Sequence, residues 1–523
     1  MKLNFNVRVG TVLIAASLLA PFQACTDLEP EIFSDLTPSN FPSSEGDIIS
    51  SYLSSYTRLY PMMNHNSYMS IQEVSSDEAL IPQRGSDWFD GGIWLRTHQH
   101  EFSPNDGQYN NAWIFLYQGV SQTNSVIGLL KGTDLLPPEQ SSRLLGELRT
   151  MRAYWYWLLA DSFGNVPLVT DESDPTDTEP SATSRTEVYN FVVSELEDAA
   201  TNLSREVGAA TYGKVNYWTN RALLSRVLLN SEVITGTPRY AEAEAAADEV
   251  INSGLYTLTE NYFANFDPDN DNGLSGTSEN IWVIPYADPA QAGGFNVHQY
   301  TLHYSSQSTF SLQEQPWNGY CSLQEFYESY DDSDSRKGEY GNQQVRGNFL
   351  AGPQYQPDGV TPLVDGTADD PGGAELVYTP EINGLNAFRQ AGVRIFKYGI
   401  PDGAPSTLPN DFPIVRYAEV LLNKAEAMMR QGEGGASMYV NMVRDRAGLD
   451  DDFDESMSMD DLLAERGREL FFEGLRRQDL IRFDAFGDEW RFKNASSDTY
   501  LVFPIPVQQL NSNRNLQQNP GYN

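Results

Sequence analysis

The chain has 523 residues, 40% of them hydrophobic, so it is long enough to bury a large core. Asp and Glu outnumber Lys and Arg by 72 to 34, which gives a formal net charge of −38. Such a chain repels nucleic acid phosphates and anionic lipid headgroups, so its composition excludes non-specific binding to either.

The first 24 residues have the features of a secretion signal. Lys2 and Arg8 precede the apolar run TVLIAASLLA, which is too short to span a membrane. Cys25 follows Ala24 at the expected cleavage point, and acidic residues come after it. This pattern resembles a bacterial lipoprotein signal that leaves Cys25 as the lipidated first residue. Phe22 departs from it, since such signals usually carry Leu there; ordinary secretory cleavage is the alternative.

Cysteine is rare in this chain. Cys321 is the one other cysteine in the sequence, so it has no intrachain partner if Cys25 is acylated. We therefore expect Cys321 to be a small buried core residue, and we expect no disulfide framework.

Amphipathic helices dominate the first half of the chain. Pro137 and Pro138 separate the first two predicted helices, and Gly164 ends the second. The Ala- and Glu-rich last helix of this half has strong helix propensity. The predicted helices are 110–130, 139–163, 186–203, 216–231 and 239–252.

The amino-acid composition changes between about residues 255 and 400, where Gly, Asn, Asp, Pro and Tyr are frequent. This composition predicts long loops with short strands, such as ENIWVIPY at 279–286. Helices are predicted again at 412–431, 436–446 and 459–485. Paired amphipathic helices with short links favour a mostly α fold, a tetratricopeptide-like helix-hairpin array with a large irregular region. The full repeat consensus is missing, so an irregular all-α domain is the alternative.

Four segments carry a resemblance to a known family. They are RAYWYWLLADSFGNVPLVT (152–170), RYAEVLLNKAEA (416–427), ERGRELFFEGLRRQDLIRF (465–483) and FPIPVQQLNSNRNLQQNPGYN (503–523). From Cys25 to Asn523 the chain resembles the SusD/RagB family, the surface glycan-binding lipoproteins of Bacteroidetes polysaccharide-utilisation systems. The resemblance implies a signal peptide at 1–24, a SusD-like N-terminal region at 25–255 and a RagB/SusD C-terminal region at 256–523. The irregular insert would cover about 256–411.

The C-terminal motifs also have a structural interpretation. Charged residues of 465–483 fall three or four apart, as neighbours on a helix surface do. Leu463, Leu470, Phe471 and Ile481 give an apolar stripe. We therefore expect an ion-paired core helix and not a nucleic-acid patch, and the proline-rich tail should close over the helical array. The pairs of opposite charge are Glu465 with Arg468, Glu473 with Arg477, and Asp479 with Arg482.

The loop PQRGSDWFDGGIWLR at 82–96 is the strongest candidate site. A sugar site needs a flat aromatic platform flanked by hydrogen-bonding side chains. Trp88 and Trp94 offer platforms, and the loop glycines let the backbone turn tightly. The flanking polar side chains are Arg84, Asp87 and Asp90.

The family resemblance adds specific roles. In starch-binding members an acid and an arginine of this region contact sugar, with a tryptophan nearby; Asp77, Arg84 and either Trp94 or Trp88 match that order. Members commonly carry another stacking aromatic in the insert, and QPWNGY at 315–320 offers Trp317 for it. Asn318 and Tyr320 of this segment complete the predicted glycan site, with Tyr300 and Tyr304 as weaker candidates.

Metal and cofactor signals are weak. His98 and His100 form H-x-H, which more often braces a loop than holds a metal. Asp267, Asp269 and Asp271 alternate as in a calcium loop, but glycine falls one place late and flanking helices are missing. We expect no cofactor, with these three aspartates as a weak calcium candidate.

Three functional hypotheses remain open at the level of sequence. The resemblance implies a non-catalytic glycan receptor, lipid-anchored to the outer membrane at the cell surface, that passes oligosaccharide to a SusC-like TonB-dependent transporter. A surface glycoside hydrolase is an alternative, because the acids in SSDEA and WFDGG could form a catalytic pair. A lid for peptide import is another. Because a strongly acidic chain suits a marine bacterium, a β-glucan such as laminarin is the first choice of glycan.

Overall fold

The structure is a computed structural model that describes residues 41–286, 294–365 and 375–522. The predicted signal peptide and Cys25 lie outside the described residues. Helices make up most of the regular structure, and none of those described is long and apolar enough to cross a membrane. The α-helices are α1 Glu45–Thr57, α2 Tyr68–Val74, α3 Ile93–His98, α4 Gly107–Lys131, α5 Pro138–Phe163, α6 Arg185–Ala199, α7 Tyr217–Leu229, α8 Ser231–Thr235, α9 Tyr240–Asn252, α10 Val297–Thr301, α11 Ser306–Thr309, α12 Gln324–Glu328, α13 Tyr417–Gln431, α14 Ala436–Arg446, α15 Met459–Leu470, α16 Arg476–Arg482 and α17 Val507–Ser512.

The long helices pack as successive neighbours. Helix α5 lies between α4 and α6, α7 packs on α9, and α9 packs on α13, which in turn contacts α14. At Gly119 of α4 an added Cβ would lie 2.3 Å from the Trp155 indole of α5, so glycine permits this close approach. The second half of α5 is buried on all sides, as expected of a helix inside a core. The predicted mostly α helix-hairpin array is confirmed.

Short antiparallel strand pairs connect the loops of the middle region, as predicted. The pairs are β1 with β5, β4 with β10, β2 with β3, β6 with β9, and β7 with β8. The strands are β1 Ala79–Leu80, β2 Val166–Pro167, β3 Ala182–Thr183, β4 Asn280–Ile284, β5 Cys321–Ser322, β6 Phe349–Leu350, β7 Gly352–Pro353, β8 Val377–Tyr378, β9 Arg394–Ile395 and β10 Phe412–Arg416. Strand β4 confirms the prediction for ENIWVIPY, and Cys321 is fully buried, as expected.

Two predicted helices have different boundaries in the structure. The helix predicted at 412–431 begins at Tyr417, because residues 412–416 form β10 and pair with β4. A proline and β-branched residues favour the extended form there. The helix predicted at 459–485 is interrupted between α15 and α16, where Phe472 and Gly474 have φ of 56° and 75°. Buried carboxylates of Glu73 and Glu78 accept the backbone N–H groups of Gly474 and Phe472, which stabilises the interruption.

The predicted ion-paired character of the C-terminal motif is confirmed. Arg468 contacts Glu465 at 2.8 Å, and Arg482 contacts Asp479 at 2.7 Å. The pairing of Glu473 with Arg477 is wrong, because the helix break separates them. Glu473 instead contacts Lys397 and Arg416, and Arg477 contacts Asp161. These charges are buried, so they fix the motif inside the fold.

The C-terminal tail lies against α5 of the helical array, as predicted. The Phe503 amide donates to the Ser162 carbonyl at 2.7 Å, and the Asn519 side chain donates to the Phe163 carbonyl at 2.9 Å. From Ser44 onward the described residues share a main core that includes residues of both predicted regions. The predicted boundary near residue 255 stays a prediction.

Candidate functional site

One strand pair brings the two predicted site segments together. Ala79 pairs with Ser322 and Leu80 with Cys321 in antiparallel register. In an antiparallel pair the segment that leaves one strand runs beside the segment that enters the other. The loop after β1, at 82–96, therefore lies against 315–320, the segment before β5. The two segments are more than two hundred residues apart in the sequence, and the four paired residues of β1 and β5 bring them together.

The loop at 84–92 has an unusual backbone. The amides and carbonyls of Arg84 and Asp87 bond reciprocally at 2.9 and 3.0 Å across a tight turn. Trp88 and Asp90 then have φ of 59° and 42°, a left-handed conformation that is rare for residues other than glycine. Asn318 in the facing segment has φ of 56°. Each such residue costs on the order of 1–3 kcal/mol, and such strain clusters at binding sites.

Three half-buried rings form a surface that we call the aromatic face: His65, Trp88 and Trp317. The Trp88 indole N–H donates to the Trp317 carbonyl at 2.7 Å, which fixes the orientation of the Trp88 ring. The His65 ring lies 6.0 Å from Trp88 at 85° and 5.1 Å from Trp317 at 71°. Sequence reasoning missed His65, which comes from the separate loop before α2 and has no motif around it.

A hydrogen bond joins Trp94, which is buried behind the aromatic face, to Asp90. The Trp94 side chain is 2% exposed, and its indole N–H donates to Asp90 Oδ2 at 2.7 Å. Asp90 itself is exposed. The structure therefore places Trp94 as a support for the loop and leaves Asp90 at the surface. Phe89, between the two predicted residues Trp88 and Asp90, is 50% exposed and was also missed.

Arg84 is buried and is not presented to a ligand. Its guanidinium donates to the carbonyls of Phe388 at 2.6 Å and Ala391 at 3.0 Å. Burial, together with the neighbouring charge of Arg394, lowers the pKa of Arg84 to about 9. The side chain fastens the loop to the 388–391 segment, which accounts for an arginine at this position without a sugar.

The other predicted contacts also have protein partners. Asp77 forms a two-point ion pair with Arg476, both contacts at 2.7 Å, and so faces the C-terminal motif and not the aromatic face. Asn318 and Tyr320 are buried beside the aromatic face. The Asn318 amide donates to the Arg389 carbonyl at 3.0 Å, and the Tyr320 hydroxyl donates to the His65 carbonyl at 2.7 Å. These two residues position the rings from behind.

The rim of the aromatic face carries hydrogen-bonding groups. The Tyr304 hydroxyl donates to the Asp87 carboxylate, and the Arg389 guanidinium lies 5.2 Å from the centre of the Tyr304 ring. Tyr304 is half-buried, whereas Tyr300 is buried. Burial lowers the pKa of His65, so its imidazole is neutral at neutral pH. The rings thus present an uncharged surface with polar groups at its edge.

The weak metal candidates gain no support from their contacts. Asp267 contacts Arg346 at 3.2 Å, and the described residues hold no group of three His, Cys, Asp or Glu side chains suited to a metal ion. His100 is held between the Ser496 hydroxyl and the Ser75 carbonyl, and His98 contacts the Arg491 carbonyl. Both histidines brace the fold.

Two family models match most of this chain. A model described as the SusD family matches residues 278–522, and one described as starch-binding associating with outer membrane matches residues 34–229. The chain belongs to the SusD family, as the sequence motifs indicated.

The similar proteins agree with this assignment. The starch-binding protein SusD of Bacteroides thetaiotaomicron is 28% identical over 450 residues, 78% of each chain. SusD-like protein P25 of Formosa agariphila is 21% identical over 532 residues, 97% of each chain. Surface glycan-binding protein A of B. thetaiotaomicron, solved with laminarihexaose, superposes with a TM-score of 0.73 at 22% identity, over 91% of this chain and all of that one. The last comparison shows a shared fold.

Proposed function

We propose that this chain is a surface glycan-binding protein that holds an oligosaccharide on the aromatic face without cleaving it. The observation that carries the proposal is the joining of Trp88 and Trp317, from distant segments, into one half-exposed surface by the 2.7 Å indole–carbonyl bond. Sugar rings present apolar C–H faces that stack on such rings, and their hydroxyls need donors and acceptors at the edge. Asp90 and Asp87 at the rim offer acceptors.

Family membership supports a glycan as the ligand. The relative SusD is named a starch-binding protein, and structural neighbours include a protein solved with laminarihexaose and one described as a laminarin-binding SusD-like protein. Two different glucans appear in these names. We therefore propose a neutral glucan as the ligand class, with a β-glucan such as laminarin as the first glycan to test.

The rim carboxylates suit binding more than hydrolysis. A glycosidase needs one carboxyl group with a raised pKa to act as the acid beside a second carboxylate. Asp90 accepts the Trp94 indole N–H and Asp87 accepts the Tyr304 hydroxyl, so both serve as anchors of aromatic rings. Carboxyl groups whose pKa is raised by burial, such as Glu73 and Asp411, lie in the core instead.

The proposal includes the partner and the location that the family resemblance implies. Lipidation at Cys25 would anchor the chain at the outer face of the outer membrane, and a SusC-like TonB-dependent transporter would receive the glycan. The family description of association with the outer membrane supports this location. A tether through an acyl chain leaves a protein free to move against a membrane partner.

Affinity electrophoresis of an unlipidated form that starts at Thr26 tests the proposal. The gels would contain laminarin, amylopectin or alginate, and the same samples would be assayed for released reducing ends. We expect retardation by a neutral glucan without release. Trp88→Ala and Trp317→Ala should each weaken binding at least about tenfold, a loss of about 1.4 kcal/mol. Met438→Ala, which truncates an exposed side chain on α14, is the control and should bind normally.

Other outcomes would replace the proposal. Released sugar would make the protein a hydrolase. Binding that survives both tryptophan substitutions would place the site elsewhere on the molecule. Absence of binding to every polysaccharide would favour a peptide cargo, for which co-purified peptides should be sought by mass spectrometry.

A further inference from the structure

A cavity lies beside the aromatic face. It has a volume of about 530 Å³ and is lined by Tyr304, Ser305, Gln307, Ser308, Ser311, Leu312, Gln315, Gln356, Leu363 and Val364. At one end Tyr304 bonds Asp87, the residue before Trp88. At the other wall Gln315 lies two residues before Trp317. We call this cavity the glutamine groove. Its lining is thus connected to Trp317 along the chain and to the residue before Trp88 by a hydrogen bond.

The walls of the glutamine groove are held together by hydrogen bonds. The Ser305 hydroxyl donates to the Val364 carbonyl, and the Thr309 hydroxyl donates to the Tyr355 carbonyl, both at 2.9 Å. Leu312 and Leu363 are buried and form an apolar floor. The segment around α11 is therefore fixed against 355–364, and the groove is a preformed feature of the fold.

Two amides at the rim are available to a ligand. The side chains of Gln315 and Gln356 make no hydrogen bond to protein within the ranges that the structure describes. Gln307 uses its amide N–H to bond the Leu312 carbonyl at 3.2 Å. Each free amide can donate to one hydroxyl and accept from another, which is the pairing that sugar hydroxyls need.

The charge around the groove restricts the ligand. None of its lining residues carries a charge at neutral pH, and burial raises the pKa of Tyr304 further above its ordinary value. Glu314 is exposed next to Gln315, and Asp358 is exposed two residues after Gln356, in a chain with net charge −38. Arg389, which lies over the Tyr304 ring, is paired with Asp365 at 3.5 Å. A uronate or sulfate group in this groove would therefore meet repulsion that no lining residue offsets.

We propose that a glycan held on the aromatic face continues into the glutamine groove, where Gln315 and Gln356 bind the hydroxyls of additional sugar units. This inference rests on the proposed function and deepens it. The groove makes the protein selective for longer chains of uncharged sugars over short ones and over acidic glycans.

Titration calorimetry with oligosaccharides of two lengths tests the inference. The probes are the laminari- and malto-oligosaccharides of three and six units, with alginate oligosaccharides as the acidic comparison. We expect the double variant Gln315→Ala/Gln356→Ala to bind hexasaccharides about tenfold more weakly, since it loses two neutral hydrogen bonds. Its affinity for trisaccharides should be unchanged. Gln508→Ala, which removes an exposed amide on α17, is the matched control.

The outcomes separate this inference from the proposed function. Trp317→Ala should weaken binding at both lengths, which reports on the aromatic face alone. If Trp317→Ala abolishes binding while the double glutamine variant binds every length normally, the groove is not a subsite and the proposed function stands. Binding of alginate oligosaccharides in preference to neutral ones would also overturn the inference. If the unaltered protein binds none of these glycans, both proposals fail.

Discussion

Two buried carboxyl groups face each other beneath the site and should give the protein a specific pH dependence. Glu73 on α2 and Glu78 before β1 are fully buried, and one oxygen of each has no donor in the described structure. The two free oxygens can share a proton. Burial raises the pKa of Glu73 to about 7, and burial together with the charge of Glu73 holds the pKa of Glu78 well above its ordinary value. Neighbouring charges on Lys397 and Arg476 only partly offset these effects.

The direction in which stability changes with pH follows from proton binding. A carboxyl group whose folded pKa lies above its unfolded value binds its proton more tightly in the native state, so stability falls as pH rises between the two values. For Glu73 the pKa rises from 4.5 in the unfolded chain to about 7 in the folded protein. At about 1.4 kcal/mol per pH unit, the free energy of unfolding falls by about 3 kcal/mol as the pH rises through this interval. Glu78 contributes with the same sign. Glu73→Gln keeps an acceptor for the Gly474 amide and removes the carboxyl group whose titration gives this loss.

The assay is urea unfolding at several pH values between 5 and 8. We expect the unaltered protein to lose about 3 kcal/mol of unfolding free energy relative to Glu73→Gln across this range. Other groups, including the buried histidines, titrate in both proteins and cancel in the difference. Glu101→Gln removes an exposed carboxylate and should reproduce the unaltered curve. Parallel curves for the unaltered protein and Glu73→Gln would refute the raised pKa of Glu73.

Two further perturbations test the packing around the site and the charge network. Arg416→Met should cost about 3–5 kcal/mol in urea unfolding, because it removes a cation that contacts the buried carboxylates of Glu279, Glu469 and Glu473. The remaining contacts to Arg336, Lys397 and Arg446 compensate only part of the lost charge, and a loss below about 1 kcal/mol would contradict this. Gly319→Ala should weaken glycan binding in calorimetry, because the added Cβ would lie 2.5 Å from the Trp88 indole. Gly119→Ala brings a Cβ 2.3 Å from Trp155 in the helical array and should destabilise by about 1–3 kcal/mol without changing affinity, so equal binding defects in both variants would contradict the assignment of the site.

The helical array could be predicted from the sequence because its signal is local. Apolar periodicity, paired prolines and a closing glycine specify α4 and α5 within a few residues. The boundary at 412–416 could not be predicted, because these residues form a strand only by pairing with β4, which lies more than a hundred residues earlier in the sequence. The break at 471–475 likewise depends on carboxylates from α2 and the segment before β1. Tertiary partners decide both cases.

The candidate site was predictable in composition but not in arrangement. Trp88 was chosen because tryptophans in irregular loops are unusual, and Trp317 was chosen through the family resemblance, yet only the β1–β5 pairing shows that they meet. Arg84 illustrates the opposite case. An arginine in a Gly- and Asp-rich loop is typical of a ligand contact, but three backbone carbonyls of 388–391 accept hydrogen bonds from its two terminal nitrogens. His65 had no local signal, since its role arises from the rings that surround it.

Glu78 connects the C-terminal motif to the strand pair beside the loop of Trp88 through two hydrogen bonds. Its carboxylate accepts the Phe472 amide in the break between α15 and α16, and its carbonyl accepts the Ser322 hydroxyl of β5 at 2.7 Å. Glu78 directly precedes β1, which leads into the loop of Trp88. The buried charges of the motif therefore fix the strand pair that brings Trp88 to Trp317. The motif thus supports the candidate site through the position of β1, which pairs with β5.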